Sequence, residues 1–147
     1  MNTENTPKPS ILFWIVSVIA FIWNTLGIFN FIGHLAVLNV KDVMDALPPE
    51  QQTLYSEFPS WATIAFCIAV VFGTLGSLLL LFRSKWATHL FVISLLGILA
   101  QQSYAFLLSD SLKVLGTAVV VIGILILGIA IGLLYFSITQ TKKGILR

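Results

Sequence analysis

From Ile11 to Leu38 the chain runs for 28 residues without a formally charged side chain. At helical rise that is about 42 Å, well beyond a hydrocarbon core of about 30 Å. The far end of this helix, near His34, must therefore tilt or emerge into the interface. Three further apolar stretches, at about 61–82, 86–108 and 112–138, each reach the roughly 20 residues that a spanning helix needs. The pattern predicts an all-α integral membrane protein, a four-transmembrane-helix bundle. The segment 39–60 is its only substantial loop. There Pro48 and Pro49 break the chain, and Leu54, Tyr55 and Phe58 recur at helical spacing. A short amphipathic helix is expected, started by Pro49, stopped before Pro59 and lying on the membrane surface. The organisation is then a polar tail over 1–10 with Ser10 as N-cap, a membrane domain over 11–138, and a basic tail over 139–147.

Polar positions interrupt this pattern in a directed way. Trp23, Asn24, Gly27, Asn30 and His34 fall within a sector of roughly 120° on the first helix, opposite Phe21, Ile22, Thr25, Phe29 and Ile32. One side suits lipid, the other protein, water or a ligand. On the second helix Ala62, Ala65, Ala69, Gly73 and Gly76 form a small-residue stripe that admits a close neighbour. The third carries Ser94, Gly97, Gln101 and Tyr104 on one face, with Gln102 displaced by about 100°. The fourth has Gly116, Gly123 and Ala130 on one side and Gly128 and Gly132 on another. Close backbone contacts are expected from the second and fourth helices, within the bundle or between copies.

Composition agrees with insertion and excludes much else. Hydrophobic residues make up 58% and charged residues 10% of the 147, against about 25% charged in an average soluble domain, and mean hydropathy is +0.99. With Cys67 as the one cysteine, no intramolecular disulfide can form. The net charge of +2 does not suggest nucleic acid. Its distribution instead reports orientation. Lys8, Arg83, Lys85, Lys142, Lys143 and Arg147 share one side of a four-span chain, and only Lys41 and Lys113 occupy the other. This asymmetry puts both termini in the cytoplasm and the acidic 39–60 loop outside. The first apolar run is far longer than the core of a cleavable signal peptide.

Depth then brings the polar groups together. Counting from the inner interface, Asn30 lies just inside the outer boundary and His34 at it. Gln101 and Tyr104 rise about 22 to 27 Å above Trp86. The stripes converge at a similar outer depth, so Asn30, His34, Gln101 and Tyr104 form the candidate binding cluster. An unpaired amide in hydrocarbon costs several kcal/mol, so these groups should meet each other, water or a ligand. The competing expectation is that they only hold helices together, at roughly 0.6 to 2 kcal/mol per contact. His34 is also the one group here able to titrate near neutral pH. His34 and His89 sit toward opposite faces, so no metal site is expected. No nucleotide-binding loop, zinc-protease or serine-hydrolase motif is present, and neither a cofactor nor an enzyme activity is expected.

The run W-N-x-x-G-x-F-N-F-x-G-H (Trp23 to His34), followed by ALPPEQQ (Ala46 to Gln52), Leu54-Tyr55, Pro59-x-Trp61, GSLLLLFRSKWA (Gly76 to Ala87) and the terminal KKGILR, resembles a family of small bacterial four-helix inner-membrane proteins. Some of that uncharacterised family carry an automatic "sugar transporter" label. The resemblance implies the bacterial cytoplasmic membrane and supplies no site residues. Two functions are expected from these features. One is a non-enzymatic accessory, interaction or ligand-binding protein, whose partners would be the lipid bilayer, a membrane protein or second copy, and a small neutral ligand. The other is a small-solute transporter, of sugar for instance, working as an oligomer, although such proteins place a charge or broken helix at the midplane. A membrane enzyme using His34 with loop carboxylates is the weakest of the three.

Overall fold

A computed structural model describes residues 7–147, and residues 1–6 of the expected N-terminal tail lie outside the described residues. Every regular element among them is helical: α1 (Ile11–Asn39), α2 (Lys41–Asp45), α3 (Pro49–Ser56), α4 (Ser60–Leu81), α5 (Trp86–Ser103), α6 (Ser111–Leu115) and α7 (Thr117–Lys142). A π-helical turn, Tyr104–Leu108, continues α5. Among the described residues four helices are long and apolar enough to cross a membrane: α1, α4, α5 with its π turn, and α7. Ser10 starts α1 by accepting a hydrogen bond from the Phe13 amide at 3.2 Å, which satisfies one of the orphan donors of the first turn.

In space the long helices follow chain order, α1 against α4, α4 against α5, and α5 against α7. Small residues make the α4–α5 seam close. A Cβ added to Gly97 would stand 2.8 Å from both the Ala65 carbonyl oxygen and the Ala69 nitrogen. Ser94 Oγ donates across the same seam to the Ala69 carbonyl at 2.6 Å. Ala62, Ala65, Ala69, Gly73 and Gly76 are all buried. Thr74 Oγ1 joins α4 to α1 through the Asn24 carbonyl at 3.1 Å. Gln102 Nε2 joins α5 to α7 through the Gly123 carbonyl at 3.2 Å.

Three features depart from the sequence pattern. The fourth span does not begin at Leu112, because Gly116 adopts φ 68° and ψ −161°, a conformation that breaks the helix and leaves α6 as a separate turn. Of the two helices expected to make close backbone contacts, α4 makes them within the bundle, against α5. Gly128 and Gly132 have no atom within 4 Å of where a Cβ would stand, so α7 contributes no close approach there. The basic tail begins as the last turn of α7 and then folds back on the bundle. Gly144, at φ 71°, ends α7 in a Schellman turn in which Ile145 N donates to the Gln140 carbonyl and Gly144 N to the Thr141 carbonyl, both at 3.0 Å.

That reversal drives Ile145 and Leu146 into a cluster with Phe13, Leu80, Ala87, Phe91 and Leu133. The last residue clasps the α4–α5 turn: Arg147 N donates to the Arg83 carbonyl at 2.8 Å and Lys85 N to the Arg147 carbonyl at 3.0 Å. Arg83 sits at φ 60°, which costs a non-glycine residue about 1 to 2 kcal/mol. The clasp, together with the bond from Arg83 Nε to the Ile145 carbonyl at 3.1 Å, holds it there. At this terminal end α1 and α7 touch through the stacked rings of Phe13 and Phe136, with centroids 6.0 Å apart.

Candidate functional site: a groove between α1 and α7

Beyond the Phe13–Phe136 contact α1 and α7 separate, and the space between them is a groove floored by α4 and α5. Its inner limb, about 330 Å³, runs between Asn24 and Gly27 of α1, Val70 of α4, Phe91 of α5 and the isoleucines of α7. Its outer vestibule, about 650 Å³, extends to Tyr55 and Phe58 beneath the α3 segment. Leu26, Asn30, Phe66 and Gln101 line both, so the two spaces adjoin at these residues. Both volumes fall in the usual range for small-molecule sites. Leu26 on one rim is 52% exposed and Ile122 on the other 55%, so the groove opens sideways between the helices.

The polar groups divide into satisfied and unsatisfied ones. Asn24 Nδ2 donates to the Ala20 carbonyl at 2.8 Å, and Ser94 is occupied by Ala69. Asn30 Nδ2 donates likewise to the Leu26 carbonyl at 3.1 Å, and the side-chain carbonyl oxygens of both Asn24 and Asn30 are left unpaired among the described residues. Gln101 makes no side-chain hydrogen bond among the described residues. No buried side-chain nitrogen or oxygen there lacks a partner, so its amide must open onto the accessible space that it lines. Neither limb is lined by Asp, Glu, Lys or Arg. The site can offer hydrogen bonds from neutral groups and apolar surface, and it has no charge with which to hold an ion.

His34 closes the outer end. It is 9% exposed, with Nε2 3.4 Å from Thr63 Oγ1. Its ring lies 4.6 Å from Phe58, 5.5 Å from Phe66 and 5.8 Å from Tyr55. These contacts turn the apolar positions of α3 toward the groove. Tyr104 packs on Phe58 at 4.9 Å and on Trp61 at 5.7 Å. Its hydroxyl donates to the Glu57 carbonyl at 3.3 Å.

The structure thus brings Asn30, His34 and Gln101 to one vestibule and leaves Tyr104 outside it, beyond Phe58. Three residues along a helix amount to about 300°, so Tyr104 is offset by about 60° from Gln101. Trp61 and Phe58 then hold it away from the groove. Asn24 and Ser94 line the inner limb although they were outside the expected cluster. Both lie on the polar stripes, and that was the available signal. Gln102 could not be separated from Gln101 by residue type, and only its 100° displacement announced a different neighbour. At the other end of α5, His89 stacks obliquely on Trp86, far from this groove. No family model, curated protein or solved structure matches the chain.

Proposed function

We propose that this is a non-enzymatic, multi-pass protein of the bacterial cytoplasmic membrane that binds a small neutral ligand in the groove between α1 and α7. The observation that carries the reading is Gln101, an amide without an internal partner, beside Asn30 in an uncharged cavity. A group whose only task was to tie helices together would resemble Gln102, which reaches the Gly123 carbonyl. Both termini are cytoplasmic, because six of the eight basic residues gather at the terminal end. The vestibule then faces the outer leaflet. The transporter reading is less well supported, since Phe13, Phe136 and the docked tail close the groove toward the cytoplasm.

Native mass spectrometry of the protein released from nanodiscs tests the binding reading. A small molecule retained by the parent and lost from Gln101→Leu is expected, and equal retention by both would refute it. Orientation is tested separately in a Cys67→Ser background. A cysteine at Glu50 should react with an impermeant thiol reagent in intact cells, and one at Lys143 should not.

A further inference from the structure

The two limbs of the groove differ in chemistry, and that difference specifies the ligand beyond the neutral character on which this inference rests. Where the two limbs meet, Gln101 and Asn30 present unpaired amide atoms, and the outer vestibule adds His34, Tyr55 and Ser111. Deeper in, Ile122, Ile126, Ile129 and Leu133 of α7 face Val70 and Phe91, and among the polar groups there Ser94 and the Asn24 Nδ2 are engaged with backbone carbonyls, which leaves the Asn24 carbonyl oxygen and the Trp23 indole N–H. A freely soluble solute could use the vestibule but would leave the inner limb without partner atoms, forfeiting dispersion contacts along its walls. The sideways opening, with Leu26 and Ile122 exposed on its rims, faces the acyl region of a bilayer if these helices span it. An apolar chain could enter from there without passing through water.

We infer that the groove binds a single-chain amphiphile with an uncharged, hydroxyl- or amide-bearing head group. Its chain occupies the inner limb and its head lies between Asn30 and Gln101. A phosphate or ammonium head is disfavoured because no Asp, Glu, Lys or Arg lines either limb, and a buried charge without a partner is costly. Monoacylglycerol represents the favoured chemistry.

Trp23 lines the inner limb and reports occupancy. In a variant carrying Trp14→Phe, Trp61→Phe and Trp86→Phe, Trp23 remains as the sole tryptophan. In phosphatidylcholine nanodiscs, brominated monoacylglycerol should quench it saturably. Unlabelled monoolein should reverse the quenching, and oleoyl lysophosphatidylglycerol should not. Ala130→Phe, which fills the inner limb, and Gln101→Leu, which removes the head-group amide, should each weaken binding about tenfold, the equivalent of one hydrogen bond or a comparable packing loss. Quenching that rises linearly with probe, or equal competition by the charged lipid, would overturn the inference. Competition in the otherwise unaltered single-tryptophan protein decides the matter even if either added substitution impairs folding. Linear quenching alongside a small polar molecule retained by native mass spectrometry would remove the amphiphile and leave the neutral-ligand reading standing. Linear quenching with nothing retained would remove both.

Discussion

At the terminal end α1 and α7 touch through stacked phenylalanines and the C-terminal tail seals the bundle, whereas at the loop end the same helices stand apart around an open groove. Both ends contain polar side chains. At the closed end the fully buried ones are short, Ser17, Ser77 and Ser137, each 0% exposed, although the longer Gln140 is also buried there. Each serine bonds to a carbonyl of its own helix, Ser17 to Phe13 at 2.7 Å, Ser77 to Gly73 at 3.0 Å and Ser137 to Leu134 at 2.9 Å. A hydroxyl satisfied in this way occupies little space and allows close packing. At the open end Gln101 reaches past its own backbone and finds no partner there. Reach alone does not make a binding position, since Gln140 is equally long yet is packed at the closed end; Gln101 differs in lining an open groove.

The contrast can be broken most forcefully at the tail. Leu146→Ala should cost about 2 to 4 kcal/mol, the range for truncating a buried leucine, while leaving the groove intact. Reversible unfolding in mixed micelles measures the loss, and an unchanged midpoint would mean that the closed end owes nothing to its plug. Next is the α4–α5 seam. Gly97→Ala places a methyl against the backbone of Ala65 and Ala69 and should cost about 2 to 3 kcal/mol. Gly128→Ala meets open space and should stay within about 0.5 kcal/mol. If the two variants unfold together, the seam is not where the helices are held.

At the loop end Phe58→Ala removes the ring shared by His34 and Tyr104 and should cost about 1 to 2 kcal/mol. Amide exchange should accelerate over α2 and α3 while the terminal end keeps its protection, and uniform acceleration would erase the distinction between the ends. A double-mutant cycle on Asn30→Ala and Gln101→Ala sharpens the comparison further. No hydrogen bond joins these two side chains, so their coupling in stability should be below about 0.5 kcal/mol without ligand and should grow when the groove is filled. Strong coupling in the empty protein would identify them as a structural pair. The smallest effect lies on the surface. Asp110 hydrogen-bonds the Lys113 ammonium at 2.6 Å and raises its pKa above the ordinary lysine value. The pair's contribution is present below that ordinary value and lost as pH rises through the raised one. Because both groups are exposed, Asp110→Asn should lower the titration of Lys113 by nuclear magnetic resonance without moving the unfolding midpoint.

The sequence by itself determined the four apolar spans, the break at Pro48 and Pro49 with a helix after it, the Ser10 cap and the buried small-residue stripe on α4. Each follows from length, local capping chemistry or periodicity, properties that a helix carries before it meets another. The joint at Gly116 and the Lys142-Lys143-Gly144 turn were visible as glycines, but the first read equally well as a packing position and the second as part of a basic tail. Only the tertiary structure decided that α4 pairs with α5 rather than with α7. Only it turned Gln101 to the groove, Gln102 to Gly123 and Tyr104 behind Phe58. The reason is that lipid is as apolar as leucine, so an apolar pattern sets how long a membrane helix is and leaves its rotation nearly free. Rotation is settled by the few places where backbones approach closely or a polar atom finds its partner, and those partners lie on other helices.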